Sequence, residues 1–355
     1  MKRNRLLFLL ALLMTAATGA WAQASTTYSV KMKSGTKDAA NWTISDGTTT
    51  KTGDEGLDAV AEGQSVTLKY SGRRKVKSVT ATTDAEPAEE PMTLATPLTM
   101  EAITDGTIKV NMSDELTTGM KYSVNGGTKT TITSTTVIGD LKAGDKVQFY
   151  GNGTLTQVYG DSPEVKILGS GDGFKTKVYG NIMSLLDEEG FATKTDLPNA
   201  NYVFYGLFKE NATLIDASEL LLPATTLTYG CYQAMFYGCS NLTTAPKLPT
   251  TELASNCYQQ MFDGCTNLTT APKLPATTLA VQCYANMFLG CSKLTNAYVK
   301  AAFTADDGEC GGIFNDCWAT GAVLHTTSDN KASWEAKMGS GKTWSNWTVA
   351  ADWQD

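Results

Sequence analysis

Histidine occurs once in 355 residues, at His325, and beyond the first five residues arginine occurs only as Arg73 and Arg74. A single imidazole excludes a multi-histidine metal centre and leaves His325 as the one candidate partner for a Ser/His or Cys/His pair. It sits in Val323-Leu-His-Thr at the edge of the last repeat, where packing or surface exposure is the expected role. Cysteine is absent before Cys231, which excludes a lipidated cysteine at the end of a leader. No C-x2-C pair is present, so a structural zinc site is not expected either. Past residue 14 no apolar run approaches the roughly 20 residues of a membrane span.

The amino terminus is a leader. Lys2, Arg3 and Arg5 precede the apolar run 6–14, and Ala20-Trp21-Ala22 gives a cleavage site, with a second after Ala24. Removal of residues 1–24 leaves 26 basic against 36 acidic residues, a balance of −10. So acidic and arginine-poor a chain lacks the electrostatic footprint of nucleic-acid binding, and anionic membranes would repel it. The expected destination is the cell surface or the extracellular space, with the periplasm as alternative.

Strand-like alternation marks Tyr28-Ser-Val-Lys-Met-Lys, Ser65-Val-Thr-Leu-Lys-Tyr and Lys75-Val-Lys-Ser-Val-Thr-Ala, and predicts a small antiparallel module over 25–83. Residues 84–91 are acidic, carry two prolines and read as a linker. A second, sandwich-like β module is expected over 92–168, with a hairpin at Asn125-Gly126, where both turn residues must accept positive φ.

From about Val178 the chain becomes periodic. Cys231-Tyr-Gln-Ala-Met-Phe-Tyr-Gly-Cys-Ser-Asn-Leu-Thr-Thr-Ala-Pro-Lys-Leu-Pro recurs from Cys257 and again from Cys283, at 26-residue intervals. An altered copy runs from Cys310 to Cys317, and earlier copies start near Val203 and Tyr179. Cys257, Met261 and Cys265 fall at i, i+4, i+8, which predicts a short helix or 3-10 segment in each coil, ended by Gly264 and followed by an extended segment. One coil cannot stand alone. Some nine apolar residues at about 2 kcal/mol each do not offset the ordering of 26 residues at roughly 1–1.5 kcal/mol each. Neighbouring coils must therefore bury one another.

The unit C-Y-x-x-M-F-x-G-C-x-x-L-T-x-A-P-x-L-P-A-T-T-L resembles the BspA-like leucine-rich repeats of surface proteins from anaerobic commensal bacteria. The likeness spans 178–325, and its Phe-x-Gly-Cys-x-x-Leu core repeats at Phe236, Phe262 and Phe288. It implies a curved solenoid at the cell surface that adheres to host matrix proteins or other cells. The 26-residue period is longer than that family's usual unit, and Cys-Tyr stands where Ile-Gly is common. The fold expected is thus mixed α/β but β-rich. One or two small antiparallel, sandwich-like modules precede a leucine-rich-repeat solenoid of 26-residue coils over 176–325, and a Trp-rich cap covers 326–355.

All eight cysteines, Cys231, Cys239, Cys257, Cys265, Cys283, Cys291, Cys310 and Cys317, lie in the repeats. Two readings stand side by side. Paired loss at Val203 and Asn211 favours a disulfide within each coil, whereas the i, i+8 separation on a helix, about 12 Å, favours buried free thiols. Bridges between coils come third, since they would leave Cys231 and Cys317 unpaired.

Gly339-Ser-Gly-Lys-Thr resembles the end of a phosphate loop, but Ala336 stands where its first glycine belongs. Leu-Pro-Ala-Thr-Thr at 222 and 274 recurs mid-chain and reads as a repeat corner rather than a sorting signal. Residues 169–173 read as a boundary turn rather than a calcium loop. No catalytic residue, metal or cofactor is expected. Binding is expected at outward positions of the extended segments, Thr243, Lys247, Thr269, Lys273 and Thr295, or at the varied residues 228–230, 254–256 and 280–282. An extracellular protein, from host matrix or another cell surface, is the expected partner. The alternatives are self-association as a structural protein and glycan binding through Trp334, Trp344, Trp347 and Trp353; burial of those tryptophans would instead make them a cap.

Overall fold

The computed structural model describes residues 15–16, 27–30, 42–45, 49–52, 57–61, 65–70, 79–82, 93–112, 119–152, 165–303 and 308–354. The linker at 84–91 and both leader cleavage sites lie outside them. The chain divides into two compact units, Met1–Pro91 and Met92–Asp355.

The first unit is antiparallel throughout. Strands β1 (Thr15–Ala16), β2 (Thr27–Val30) and β5 (Leu57–Ala61) form one sheet. Strands β3 (Trp42–Ser45), β4 (Thr50–Thr52), β6 (Ser65–Tyr70) and β7 (Val79–Thr82) form a second, in the order β4-β3-β6-β7. β1 falls inside the expected leader.

The second unit begins with two sheets over a shared core. One is β12 (Thr136–Leu141), β9 (Gly106–Met112) and β14 (Val165–Ser170), in that order. The other runs β11 (Thr130–Thr131), β10 (Lys121–Val124), β13 (Lys146–Tyr150), β8 (Thr99–Ala102), β15 (Thr176–Asn181) and β16 (Leu214–Asp216), with β17 (Leu220–Leu221) also on β15. Alternate residues point inward: Ile108, Val110 and Met112 of β9, and Met100 and Ala102 of β8, are buried in one cluster. Asn125 and Gly126 turn β10 into β11 at φ 52° and 70°, and Val124 accepts from the Gly127 N–H at 2.9 Å.

β15 is antiparallel to β8 but parallel to β16 and β17, so this sheet is mixed rather than antiparallel. It also joins 92–168 to the repeats in one compact unit. Asn211, fully buried, adds a second tie, donating to the Ile167 carbonyl and accepting from the Gly169 N–H.

The expected helix in every coil is absent, and with it the mixed α/β, leucine-rich-repeat solenoid. Among the described residues the only α-helix is α1 (Lys331–Glu335), apart from two 3-10 turns at Ile182–Leu185 and Phe191–Thr193. The repeats are turns and short parallel strands in a β-rich chain. Within a repeat, alternate N–H groups bond in two directions. Gln233, Met235, Tyr237 and Cys239 bond three residues back, whereas Tyr232, Ala234, Phe236 and Gly238 donate to Cys257, Gln259, Met261 and Asp263 of the next coil at 2.7–2.9 Å. Ala234, Gln260 and Asn286 carry φ near +53° to +55°, which no helix tolerates.

This turn ribbon repeats every four residues, close enough to 3.6 that its buried positions mimic a helical face. Cys257, Tyr258, Met261, Phe262 and Cys265 are indeed all buried. The rings form columns: Phe208, Phe236, Phe262, Phe288 and Phe314 stack at 5.5–5.9 Å, and Phe204, Tyr232, Tyr258 and Tyr284 at 5.6–6.2 Å. The invariant glycine of the unit has its own column. Gly238, Gly264 and Gly290 sit at φ 71–74°, and a Cβ on Gly264 would lie 3.5 Å from the Gly238 Cα.

Extended segments build the other wall: β18 (Thr270–Leu274), β19 (Asn296–Val299), β20 (Ala322–His325) and β21 (Trp347–Ala350) form a parallel sheet in chain order. Trp334, Trp344 and Trp347 are buried over the last phenylalanine, Phe314, with Trp347 4.5 Å away, ring to ring. Among the described residues no helix is long and apolar enough to cross a membrane.

Candidate functional site

The thiols lie at the centre of the stack. All eight cysteines are free and buried. Cys239, Cys265, Cys291 and Cys317 each donate to the carbonyl of a phenylalanine in the preceding coil, Phe208, Phe236, Phe262 and Phe288, at 3.0–3.2 Å. Burial pushes Cys231, Cys239, Cys283 and Cys317 up to about 12, and raises the other four well above the usual thiol range. A thiol held protonated is a poor nucleophile and a poor metal ligand. Among the described residues no group of three or more His, Cys, Asp or Glu side chains could hold a metal ion.

The last repeat keeps the register but changes its residues. Tyr284 donates to Glu309 and Asn286 to Gly311, which puts Glu309 beneath Cys283 and Cys310 beneath Tyr284. The spacing of seven between Cys310 and Cys317, against eight elsewhere, arises because Glu309 stands in the place of the first cysteine and Cys310 in that of the tyrosine. Cys317 keeps its column.

His325 ties the tail down. Its Nδ1 lies 2.8 Å from Asp352, its Nε2 3.3 Å from Asn296, and its ring stacks on Tyr298 at 4.4 Å.

The five predicted contact residues divide in two. The Thr243 hydroxyl donates to the Ile215 carbonyl at 2.8 Å and that of Thr295 to the Thr269 carbonyl at 3.2 Å, so both bind one coil to the previous one. Thr269 is exposed and supplies that carbonyl. Lys247 and Lys273 are exposed and come together at the rim of a groove of about 500 Å³. Its walls are Pro246, Leu248 and Pro249 of one coil and Pro272 and Pro275 of the next.

Residues 245–249 form no strand, although 244–249 repeat the Thr-Ala-Pro-Lys-Leu-Pro of 270–275, and β18 is left as the sheet edge among the described residues. Coils that bond continuously on their turn side gape here. Lys273 Nζ also donates to the Gln354 carbonyl at 2.5 Å and lies 5.5 Å from the Trp353 ring, with Lys300 5.8 Å from the same ring.

No family model, curated protein or solved structure matches the chain. The groove and the stack are therefore interpreted from their own chemistry.

Of the tryptophans considered for glycan stacking, Trp334 and Trp347 are fully buried, Trp344 is 4% exposed and Trp353 is half-buried. Trp318 is 69% exposed, and nothing in the sequence set it apart, because it lies beyond the last cysteine where the repeat pattern has broken down.

Proposed function

We propose that the chain is an exported, non-enzymatic binding protein that holds an extended segment of an extracellular protein in the groove between the coils at 245–249 and 270–275. One observation carries the reading: an apolar, proline-walled groove rimmed by two lysines runs along an unpaired strand edge. Prolines and Leu248 give an apolar floor, the edge of β18 offers backbone hydrogen bonds to an added strand, and Lys247 and Lys273 favour an acidic partner. Export and surface exposure are supported by the leader pattern and by the resemblance of the repeat unit to bacterial surface proteins. The reactive side chains support the non-enzymatic part, since the thiols are buried and the imidazole is held by Asp352 and Asn296.

The test is surface plasmon resonance of the chain lacking residues 1–24 over immobilised collagen, fibronectin, laminin and fibrinogen. Saturable binding is expected to at least one, weakened about tenfold by Lys247→Glu with Lys273→Glu and weakened by salt. Binding unaffected by that charge reversal, or none at all, refutes the groove as the site.

A further inference from the structure

The stack is directional. Every bond of the turn-side ladder has its N–H in one coil and its carbonyl in the next. The last coil therefore ends the ladder with donors that have nothing downstream to bond. The N–H groups of Gly312, Phe314 and Asp316, equivalent to donors in the four coils from Val203 onward, have no partner among the described residues.

Two cavities flank this row of donors and share Asn315. One, of about 360 Å³, is lined by Gln259, Gln282, Asn286 and Gly312. It exists because the last coil has Gly311 and Gly312 where the coil before has Ala285 and Asn286. A Cβ on Gly312 would lie 2.1 Å from the Asn286 Oδ1, so the carboxamide occupies the space a side chain would fill. That carboxamide has no hydrogen-bond partner among the described residues, while the neighbouring Asn256, Gln259 and Gln282 bond one another.

The second cavity, of about 220 Å³, lies beside Trp318. Trp318 is exposed, and the backbone that carries it is fixed, because Asn346 donates to the carbonyls on both sides of it, Cys317 at 2.7 Å and Ala319 at 2.9 Å. Asn315 is fixed in turn by the Trp344 indole N–H at 3.1 Å.

The chemistry selects a ligand class. An exposed indole on a fixed backbone offers a flat apolar face, and the carboxamides and the row of N–H groups offer both donors and acceptors. Among the described residues Asp316 is the only charged side chain lining either cavity, so an anion would find no cation there and one carboxylate. Apolar peptides would leave the row of amides unsatisfied.

We propose that this end of the stack binds a neutral oligosaccharide. One pyranose ring stacks on Trp318, and the adjoining residue presents its hydroxyls to Asn315, Asn286 and the Gly312 N–H. The site is separate from the lysine-rimmed groove and does not depend on it.

Isothermal titration calorimetry of the chain lacking residues 1–24 decides the matter, with cellohexaose, maltohexaose, xylohexaose and mannohexaose as probes and polygalacturonate as the anionic comparator. Saturable binding of at least one neutral probe is expected, with a change in tryptophan emission. Trp318→Ala should weaken it about tenfold or more, and Asn286→Ala several-fold, with the urea midpoint of unfolding unchanged. Lys247→Glu should leave it intact, which separates this site from the groove. Silence from all four neutral probes, binding of polygalacturonate alone, or affinity unchanged in Trp318→Ala would each overturn the proposal.

Discussion

Phe262→Ala tests the account of the stack most directly. Phe262 is fully buried and lies mid-column, 5.5 Å from Phe236 and 5.7 Å from Phe288, with ring planes within 3° of parallel. Truncating a buried phenylalanine costs about 3–5 kcal/mol through lost transfer energy and the cavity left behind. The backbone ladder on either side, bonded at 2.9 Å from Phe262 to Met287 and from Phe236 to Met261, resists collapse into that cavity, so the upper part of the range is expected. The two lost ring contacts add about 0.5–1.5 kcal/mol each at most. Against a typical domain stability of about 5–15 kcal/mol this is a large fraction. Urea unfolding followed by tryptophan emission reads it, because Trp334 and Trp347 are buried at the end of the same column. Val281→Ala, at a residue 63% exposed, is the control and should shift stability by less than about 0.5 kcal/mol. A Phe262→Ala loss below about 1 kcal/mol would refute the idea that the ring columns hold the coils together.

Three further outcomes follow from the same geometry. Burial raises Asp263 from the ordinary 3.8 to about 6, with a Gln260 hydrogen bond working against it and Asp316 adding to it. Between about pH 4 and 6 the folded chain keeps a proton that the unfolded chain has released, so this group makes stability fall as pH rises through that window. Asp263→Asn should remove that slope and be the more stable form at pH 7 in urea titrations; an unchanged slope would rule Asp263 out as its source. Gly264→Ala should cost about 1–2 kcal/mol, since an L-residue is strained at φ 74° even though the Cβ has room, and a neutral result would contradict the left-handed column. A chromogenic disulfide reagent should find almost no reactive thiol in the native chain and all eight after denaturation in guanidinium without reductant. Fewer than eight after denaturation would mean that some are bridged.

The sequence shows where the repeats lie, and it also misleads about what they are. The 26-residue interval and the apolar set Cys257, Tyr258, Met261, Phe262 and Cys265 correspond to the stacked, buried positions. The helix inferred from them was an aliasing error: positions four apart suit a helix, but they equally suit a ribbon of turns with every second N–H turned toward the next coil. Glutamine and asparagine at positive φ, as in Gln260 and Asn286, carry no glycine to betray the conformation. The lysines of the groove were legible as outward positions of an extended segment. The groove itself was not, because residues 244–249 and 270–275 are the same Thr-Ala-Pro-Lys-Leu-Pro and only the second run forms a strand. Trp318 and the glycines before it were missed because they lie where the repeat pattern fails, and pattern reading discounts such places.

The replacement of the cysteine and tyrosine by Glu309 and Cys310 in the last coil has a consequence for how such a chain can change over time. Upstream of it, a whole repeat between Cys231 and Cys283 can be duplicated or lost without disturbing the ladder, since these coils offer the next the same donors and receive the same acceptors. Downstream, the replaced residues, the paired glycines and the tryptophans form a terminus that fits only the last position. Growth and ending are thus encoded in different residues. Duplication would lengthen the molecule by about 5 Å for each added repeat, the spacing of adjacent strands, and carry the exposed Trp318 outward unchanged. The repeats set the reach, and the altered last coil keeps the tip constant.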